Sequence, residues 1–222
     1  MIITEKKDFE EILNNLNGFK KIIIVGCGLC ATACQTGGEE QVKEMKELLK
    51  DAWDGEVLNT LVIESVCDIR LSKRDLKKIK EDVATTDGFL IMSCGIGAQT
   101  IADLTKKAVI PANNTMFIGQ TERIGVYHEF CKACGDCILA YTGGICPVTR
   151  CAKGLLNGPC GGVVNGKCEV GNYTNDCAWI LIFNRLKELN RLDLYKTFRM
   201  PKDYKISSSP RNIDKLAVVK NG

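Results

Sequence analysis

The feature that most constrains this chain is its cysteine content. The 222 residues include 13 cysteines and a single histidine, His128. Cysteines at this density form disulfides, bind metals or act as reactive thiols. The first residues are charged and lack an apolar signal region, and no apolar run approaches the roughly 18 residues of a membrane span. We therefore expect a cytoplasmic protein without membrane insertion, in which thiols stay reduced and bind metal.

A single histidine limits which metal sites are possible. A zinc enzyme of the HExxH type needs two histidines and is excluded. Several sites in one chain must then consist almost entirely of thiolates, which hold either structural zinc or iron–sulfur clusters. The net charge of +3, from 30 basic and 27 acidic residues, gives no reason to expect a nucleic-acid partner.

The first 125 residues alternate between strand-like and helix-like segments. Four strands are predicted at Lys21–Val25, Leu58–Ile63, Gly88–Met92 and Thr115–Ile118, and four helices at Phe9–Leu16, Glu40–Lys50, Arg74–Asp82 and Ala98–Lys107. Strands that alternate with helices form a parallel sheet with right-handed crossovers. The fold class is therefore α/β, with an N-terminal Rossmann-like domain over residues 1–125.

The character of the chain changes near Phe130. Residues 126–177 are rich in glycine and cysteine and predict a small metal-organised domain that depends on its ligand to fold. Residues 178–222 form a third part, which begins with an amphipathic helix, Ala178–Leu194, that Asn175 or Asp176 could cap. An extended tail follows, which is either frayed or a strap over a partner subunit.

Five cysteines of the first domain follow predicted strands. Cys27, Cys30 and Cys34 come after the first strand, Cys67 after the second and Cys94 after the third. The carboxyl ends of parallel strands lie at one edge of the sheet, where ligands bind. We therefore predict that these thiols converge, and four of them could hold a [4Fe–4S] cluster with one to spare.

Two other interpretations of this group remain open. Gly26, Gly28 and Ala31 match the dinucleotide pattern GxGxxG/A, but no acidic residue follows at the usual spacing of about 20 residues. We favour metal over nucleotide on that ground. Cys67 and Cys94 could instead be ordinary buried thiols, because free cysteine behaves as a small apolar residue.

The strongest motif lies in the second domain. Cys131, Cys134 and Cys137 form a C-x-x-C-x-x-C run, which lets one loop wrap three corners of an iron–sulfur cubane. Cys146–Pro147 resembles the Cys-Pro pair that closes such runs in bacterial ferredoxins, although the gap from Cys137 is longer. The fourth ligand is therefore left open.

Eight cysteines follow residue 130, which is enough for two four-thiolate sites. One site is anchored on the C-x-x-C-x-x-C run. The ligands of the other come from Cys146, Cys151, Cys160, Cys168 and Cys177. Spacing does not decide whether this second site holds a cluster or a structural zinc ion.

The cysteine-rich block resembles a known family. The segment CKACGDCILAYTGGICPVTRCAKGLLNGPCGG, together with GCGLCATACQTGGE and SCGIGAQT in the first domain, is similar to the MetV family. MetV is the small, zinc-containing iron–sulfur partner of methylene-tetrahydrofolate reductase in acetogenic bacteria, and related sequence is described as a methylene-tetrahydrofolate reductase C-terminal domain. The similarity covers most of the chain.

The resemblance implies an electron-transfer subunit that is not catalytic alone. It implies two or more [4Fe–4S] clusters, with zinc as an additional metal. The catalytic partner would be a TIM-barrel flavoprotein with FMN, which reduces 5,10-methylene-tetrahydrofolate to 5-methyl-tetrahydrofolate in the Wood–Ljungdahl pathway of one-carbon metabolism. A ferredoxin or another electron-carrier module is a further candidate partner. The alternative is a zinc-stabilised assembly subunit without electron transfer.

Overall fold

A computed structural model describes residues 1–208 and 210–214 of the chain. The chain divides into two compact units, Met1–His128 and a second unit from Glu129 onwards. Part of the predicted C-terminal tail, residues 209 and 215–222, lies outside the described residues. Among the helices in the described ranges, none is long and apolar enough to cross a bilayer.

The first unit alternates strands and helices along most of its length. In chain order its elements are β1 (Ile2–Lys6), α1 (Phe9–Asn15), β2 (Lys21–Cys27), α2 (Cys30–Ala33), α3 (Glu39–Ala52), β3 (Glu56–Ile63), α4 (Ile69–Lys78), α5 (Lys80–Thr85), β4 (Gly88–Met92), α6 (Gly95–Thr105), β5 (Ala108–Pro111), β6 (Asn113–Arg123) and β7 (Val126–Cys131). The predicted helix at Arg74–Asp82 is two helices, α4 and α5, that meet at Ile79.

A four-stranded parallel sheet forms the centre of this unit. Its strand order is β3-β2-β4-β5, and β2 pairs in parallel with both β3 and β4. The isoleucines of β2 are fully buried because helices cover both faces: α1 and α3 pack on one face, and α4, α5 and α6 on the other. This arrangement confirms the predicted α/β fold class.

The strand predicted at Thr115–Ile118 belongs to a different sheet. It lies in β6, which pairs antiparallel with β1 and also neighbours β7. The fourth parallel strand is instead β5. Only Ala112 separates β5 from β6, and a parallel neighbour would need a crossover of a dozen or more residues. The chain must therefore leave the parallel sheet at this point.

The second unit has short elements and a small core. Its elements are a 3₁₀ turn (Leu139–Tyr141), α7 (Pro147–Arg150), β8 (Val163–Val164), β9 (Lys167–Cys168), α8 (Ala178–Glu188), α9 (Leu192–Lys196) and α10 (Lys205–Ser208). The helix predicted at Ala178–Leu194 is broken in two, because Asn190 takes a left-handed conformation with φ of 55°. Its N-cap is Cys177 rather than Asn175 or Asp176.

Candidate metal centres

All 13 cysteines are free thiols, so the structure contains no disulfide among them. Within residues 1–208 and 210–214, no three side chains of Cys, His, Asp or Glu are placed so that they could hold one metal ion as they stand. The thiols of the second unit nevertheless fall into two groups, because they line two separate cavities with four thiols each.

The first cavity is built around the C-x-x-C-x-x-C run. It has a volume of about 320 Å³, and its four thiols are Cys131, Cys134, Cys137 and Cys146. Apolar side chains complete the wall, namely Phe130, Ile138, Leu139 and Val148. Four thiols in a largely apolar chamber are what an iron–sulfur cluster requires of a protein.

The loop between Cys131 and Cys137 has the backbone needed to wrap a ligand. Ala133 and Gly135 both take positive φ values, of 50° and 83°, so the chain turns sharply between successive cysteines. The amide of Ala133 donates a hydrogen bond to Sγ of Cys131 at 3.3 Å. Amides that point at cysteine sulfurs are one of the means by which proteins tune a cluster.

The fourth thiol is positioned by the short helix α7. Cys146 is its N-cap and Pro147 its first residue, where the missing N–H of proline costs nothing. The hydroxyl of Thr149 donates to Sγ of Cys146 at 3.6 Å. The guanidinium of Arg150 lies 5.2 Å from the ring centre of Phe130, which ties α7 to the end of β7.

The second cavity takes its thiols from four different local structures. It has a volume of about 20 Å³ and is lined by Cys151, Cys160, Cys168 and Cys177. Backbone hydrogen bonds hold the contributing segments together: the amide of Cys168 donates to Asn175 and that of Cys177 to Gly166, each at 2.8 Å. Beside the cavity, the indole of Trp179 donates to the carbonyl of Leu155 at 3.0 Å.

Charged side chains border each cavity. At the second, Lys153 pairs with Glu169, which raises the pKa of Lys153 and lowers that of Glu169, and Glu169 also accepts from Cys160 at 3.6 Å. At the first, Asp136 belongs to the lining, and its carboxylate pairs with Lys202 at 3.1 Å. Burial alone lowers the pKa of Lys202, but the hydrogen bond to Asp136 and the negative charge of Cys134 outweigh it, so the pKa lies above its ordinary value.

The first cavity is the larger of the two. A cavity needs about 10–15 Å³ of such volume to hold one water molecule, so the second has room for a single small species. Four thiols around so small a space suit one tetrahedral zinc ion. The first cavity is large enough for a group of several atoms. Four thiols are a donor set that suits zinc or an iron–sulfur cluster in each cavity, and which group each one binds remains a prediction.

The five cysteines of the first unit lie at or beyond the carboxyl edge of the parallel sheet. Cys27 is the last residue of β2, Cys30 and Cys34 flank α2, and Cys94 caps α6 just beyond β4. Cys27, Cys34 and Cys94 are each only 7% exposed. Cys67 differs from them, because it is exposed and its nearest polar partner is Ser65. That four of them share a metal remains a prediction.

The same edge was a candidate nucleotide site. The connections from β2 and β4 lead in opposite directions, so the ligand crevice of such folds would lie between these strands. The amides of the loop after β2 are already paired within the chain: that of Cys27 donates to the carbonyl of Gly37, and that of Gly28 donates to the carbonyl of Ile63 at the end of β3, both at 2.8 Å. These amides are not directed at a phosphate, which weighs against the dinucleotide interpretation.

Residues 110–205 match a family model described as "Methylene-tetrahydrofolate reductase C terminal". The matched segment contains all eight cysteines of the second unit and therefore both of its cavities. Neither the curated proteins nor the solved structures give a significant match. Residues 110–205 are thus similar to a methylene-tetrahydrofolate reductase C-terminal domain, which agrees at this coarser level with the sequence resemblance.

Proposed function

We propose that this chain is the iron–sulfur electron-transfer subunit of a cytoplasmic methylene-tetrahydrofolate reductase complex. The observation that carries the proposal is the cavity of about 320 Å³ lined by four thiols, which lies inside the segment matched by the reductase family model. The resemblance to the MetV family supplies the rest. Electrons would pass between this chain and a TIM-barrel partner that carries FMN and reduces 5,10-methylene-tetrahydrofolate in the Wood–Ljungdahl pathway.

In this proposal a [4Fe–4S] cluster is held by Cys131, Cys134, Cys137 and Cys146. A bound cluster of this type accepts and releases one electron at a time. The chain's own residues hold it and shape its surroundings. The thiolates would bind the irons, the amide of Ala133 donates to the sulfur of Cys131, and apolar side chains form much of the cavity wall. Each of these features influences the reduction potential.

The second cavity would hold zinc, bound by Cys151, Cys160, Cys168 and Cys177. Four thiolates around one zinc ion close the coordination shell, so this site is structural rather than catalytic. Its ligands come from α7, β9, α8 and an intervening loop, and metal binding would join these segments. We expect the second unit to depend on metal for folding, because its apolar core is small.

A further cluster would lie in the first unit. Cys27, Cys30, Cys34 and Cys94 are its proposed ligands, because each of them follows closely on the end of β2 or β4 in the chain. Cys67 would be the thiol left over, since it is exposed and lies four residues beyond β3. Two clusters in separate units would allow the chain to relay electrons from a ferredoxin or a similar carrier.

The alternative is an assembly subunit that contains only zinc. The small second cavity favours zinc for at least one site. Metal analysis of the anaerobically purified chain separates the two functions, with acid-labile sulfide measured in the same sample. Iron and sulfide in matched multiples of about four, with an EPR signal after dithionite, support electron transfer. A colourless, EPR-silent protein that contains only zinc would show that the proposal is wrong.

A further inference from the structure

The chain after α9, here called the arm, comprises residues 197–208 and 210–214 of the described structure, and it contacts loops of the second unit. Its first anchor is Arg199, whose guanidinium donates to the carbonyl of Tyr141 at 2.9 Å and to that of Leu194 at 3.2 Å. The side chain of Asn157 binds the backbone of Arg199 twice, accepting from its amide at 2.7 Å and donating to its carbonyl at 2.8 Å. The arm is therefore fastened where it leaves α9.

Three further side chains of the arm contact the loop between Cys131 and Cys137. Lys202 pairs with Asp136 and also donates to its backbone carbonyl. Arg211 donates to the carbonyl of Ala133 at 2.9 Å. A methyl group added to Gly135 would lie 2.9 Å from Cδ1 of Ile206, so that side chain sits directly on the loop. The described part of the arm thus forms a strap over the first cavity's loop.

Lys202 is an enclosed charge in this strap. Its side chain is 4% exposed, whereas that of Asp136 is 59% exposed. The backbone carbonyl of Asp136 accepts both from Lys202 and from Sγ of Cys134, the latter at 3.6 Å. A buried ammonium is costly unless an opposite charge stabilises it. The exposed Asp136 supplies one such charge, and Cys134 would supply a second once it is deprotonated as a metal ligand.

We propose that Lys202 is a positioning residue that partly neutralises the negative charge at the four-thiolate cavity, and so raises the reduction potential of the cluster bound there. The inference rests on the proposed function. Reduction adds one electron, so the net negative charge of a cluster and its thiolates grows by one unit. A nearby cation stabilises the reduced state more strongly than the oxidised state, because the reduced state is more negative. The ammonium of Lys202 is nearly excluded from water, so solvent screens this attraction only weakly. The strap formed by Arg199, Ile206 and Arg211 fixes where this cation lies.

The test compares three variants of the full chain, purified anaerobically. Lys202→Met removes the charge from a side chain of similar length, and Lys202→Arg keeps it. Lys196→Met makes the same chemical change at an exposed position at the end of α9. An EPR-monitored redox titration gives the midpoint potential of each cluster. The signal of the first cavity is the one that Cys146→Ala abolishes.

We expect Lys202→Met to disfavour reduction at least tenfold, which is a potential about 59 mV more negative for one electron. Lys202→Arg and Lys196→Met should stay near the unmodified chain. An unchanged potential in Lys202→Met overturns this inference while the cluster itself stands. If Lys202→Met loses iron, retention of iron in Lys202→Arg would support a role for the positive charge at this position. Loss of iron from both variants would overturn the inference. An unmodified chain without iron in this cavity shows that the proposed function and this inference are both wrong.

Discussion

Cys146 and Cys151 stand at opposite ends of the four-residue helix α7, yet they line different cavities. Replacing each with alanine, which cannot bind metal, tests whether the two cavities are separate metal sites. The sequence alone allowed Cys146 to belong to either set. A metal count on each variant is therefore a direct measurement of the partition that the structure implies.

The expected magnitudes follow from the stoichiometry of the proposed [4Fe–4S] cluster and single zinc ion. Cys146→Ala removes one of four thiols from the cavity of about 320 Å³ and should cost about four irons and four sulfides per chain, with zinc unchanged. Cys151→Ala removes one of four thiols from the cavity of about 20 Å³ and should cost about one zinc, with iron unchanged. Elemental analysis and a sulfide assay of the anaerobically purified chains measure both quantities.

Cys67→Ala is the matched control, because Cys67 is exposed and lines neither cavity. It should leave both metals in place. Loss of zinc with full retention of iron in Cys146→Ala would assign that thiol to the second site and refute the partition. Equal loss of both metals from each variant would show that the two cavities do not act as separate sites.

Two predictions concern the first unit. Gly37→Ala should lower the free energy of unfolding by about 1–3 kcal/mol in a urea titration, because the new methyl would lie 1.8 Å from the last carbonyl oxygen of β4. Gly95→Ala is its control, with a nearest neighbour at 3.5 Å. Asp75 has its pKa lowered to about 2 by hydrogen bonds from Arg74 and Lys78. A lowered carboxyl pKa stabilises the fold above the unfolded value of 3.8, and this stabilisation is lost as the pH falls through about 2. Asp75→Asn should therefore unfold at lower urea than the unmodified chain at pH 7, with the gap shrinking below pH 4. A gap that does not change with pH would contradict this reasoning.

The parallel sheet could be predicted because its strands carry an unmistakable local pattern. Runs of branched apolar residues such as Ile22–Val25 are buried on both faces and are read from the sequence without knowledge of their neighbours. The strand β6 shows the limit of that approach. Its apolar residues at Met116–Ile118 indicated a strand correctly, but not the sheet to which it belongs. The sheet to which β6 belongs depends on the one-residue link from β5 and on pairing with β1, which lies more than 100 positions away in the sequence.

The sequence by itself determined the chemistry of the candidate sites. Thirteen cysteines and one histidine restrict several metal sites to thiolate ligands, and the C-x-x-C-x-x-C spacing indicates a cluster-binding loop. Only the tertiary structure decided how the thiols divide. Cys146 and Cys151 are neighbours in sequence but line different cavities, because α7 places them at opposite ends. Cys151 and Cys177 are distant in sequence but share one cavity, because backbone hydrogen bonds join the intervening turns. Such grouping depends on contacts between remote segments, which local spacing does not encode.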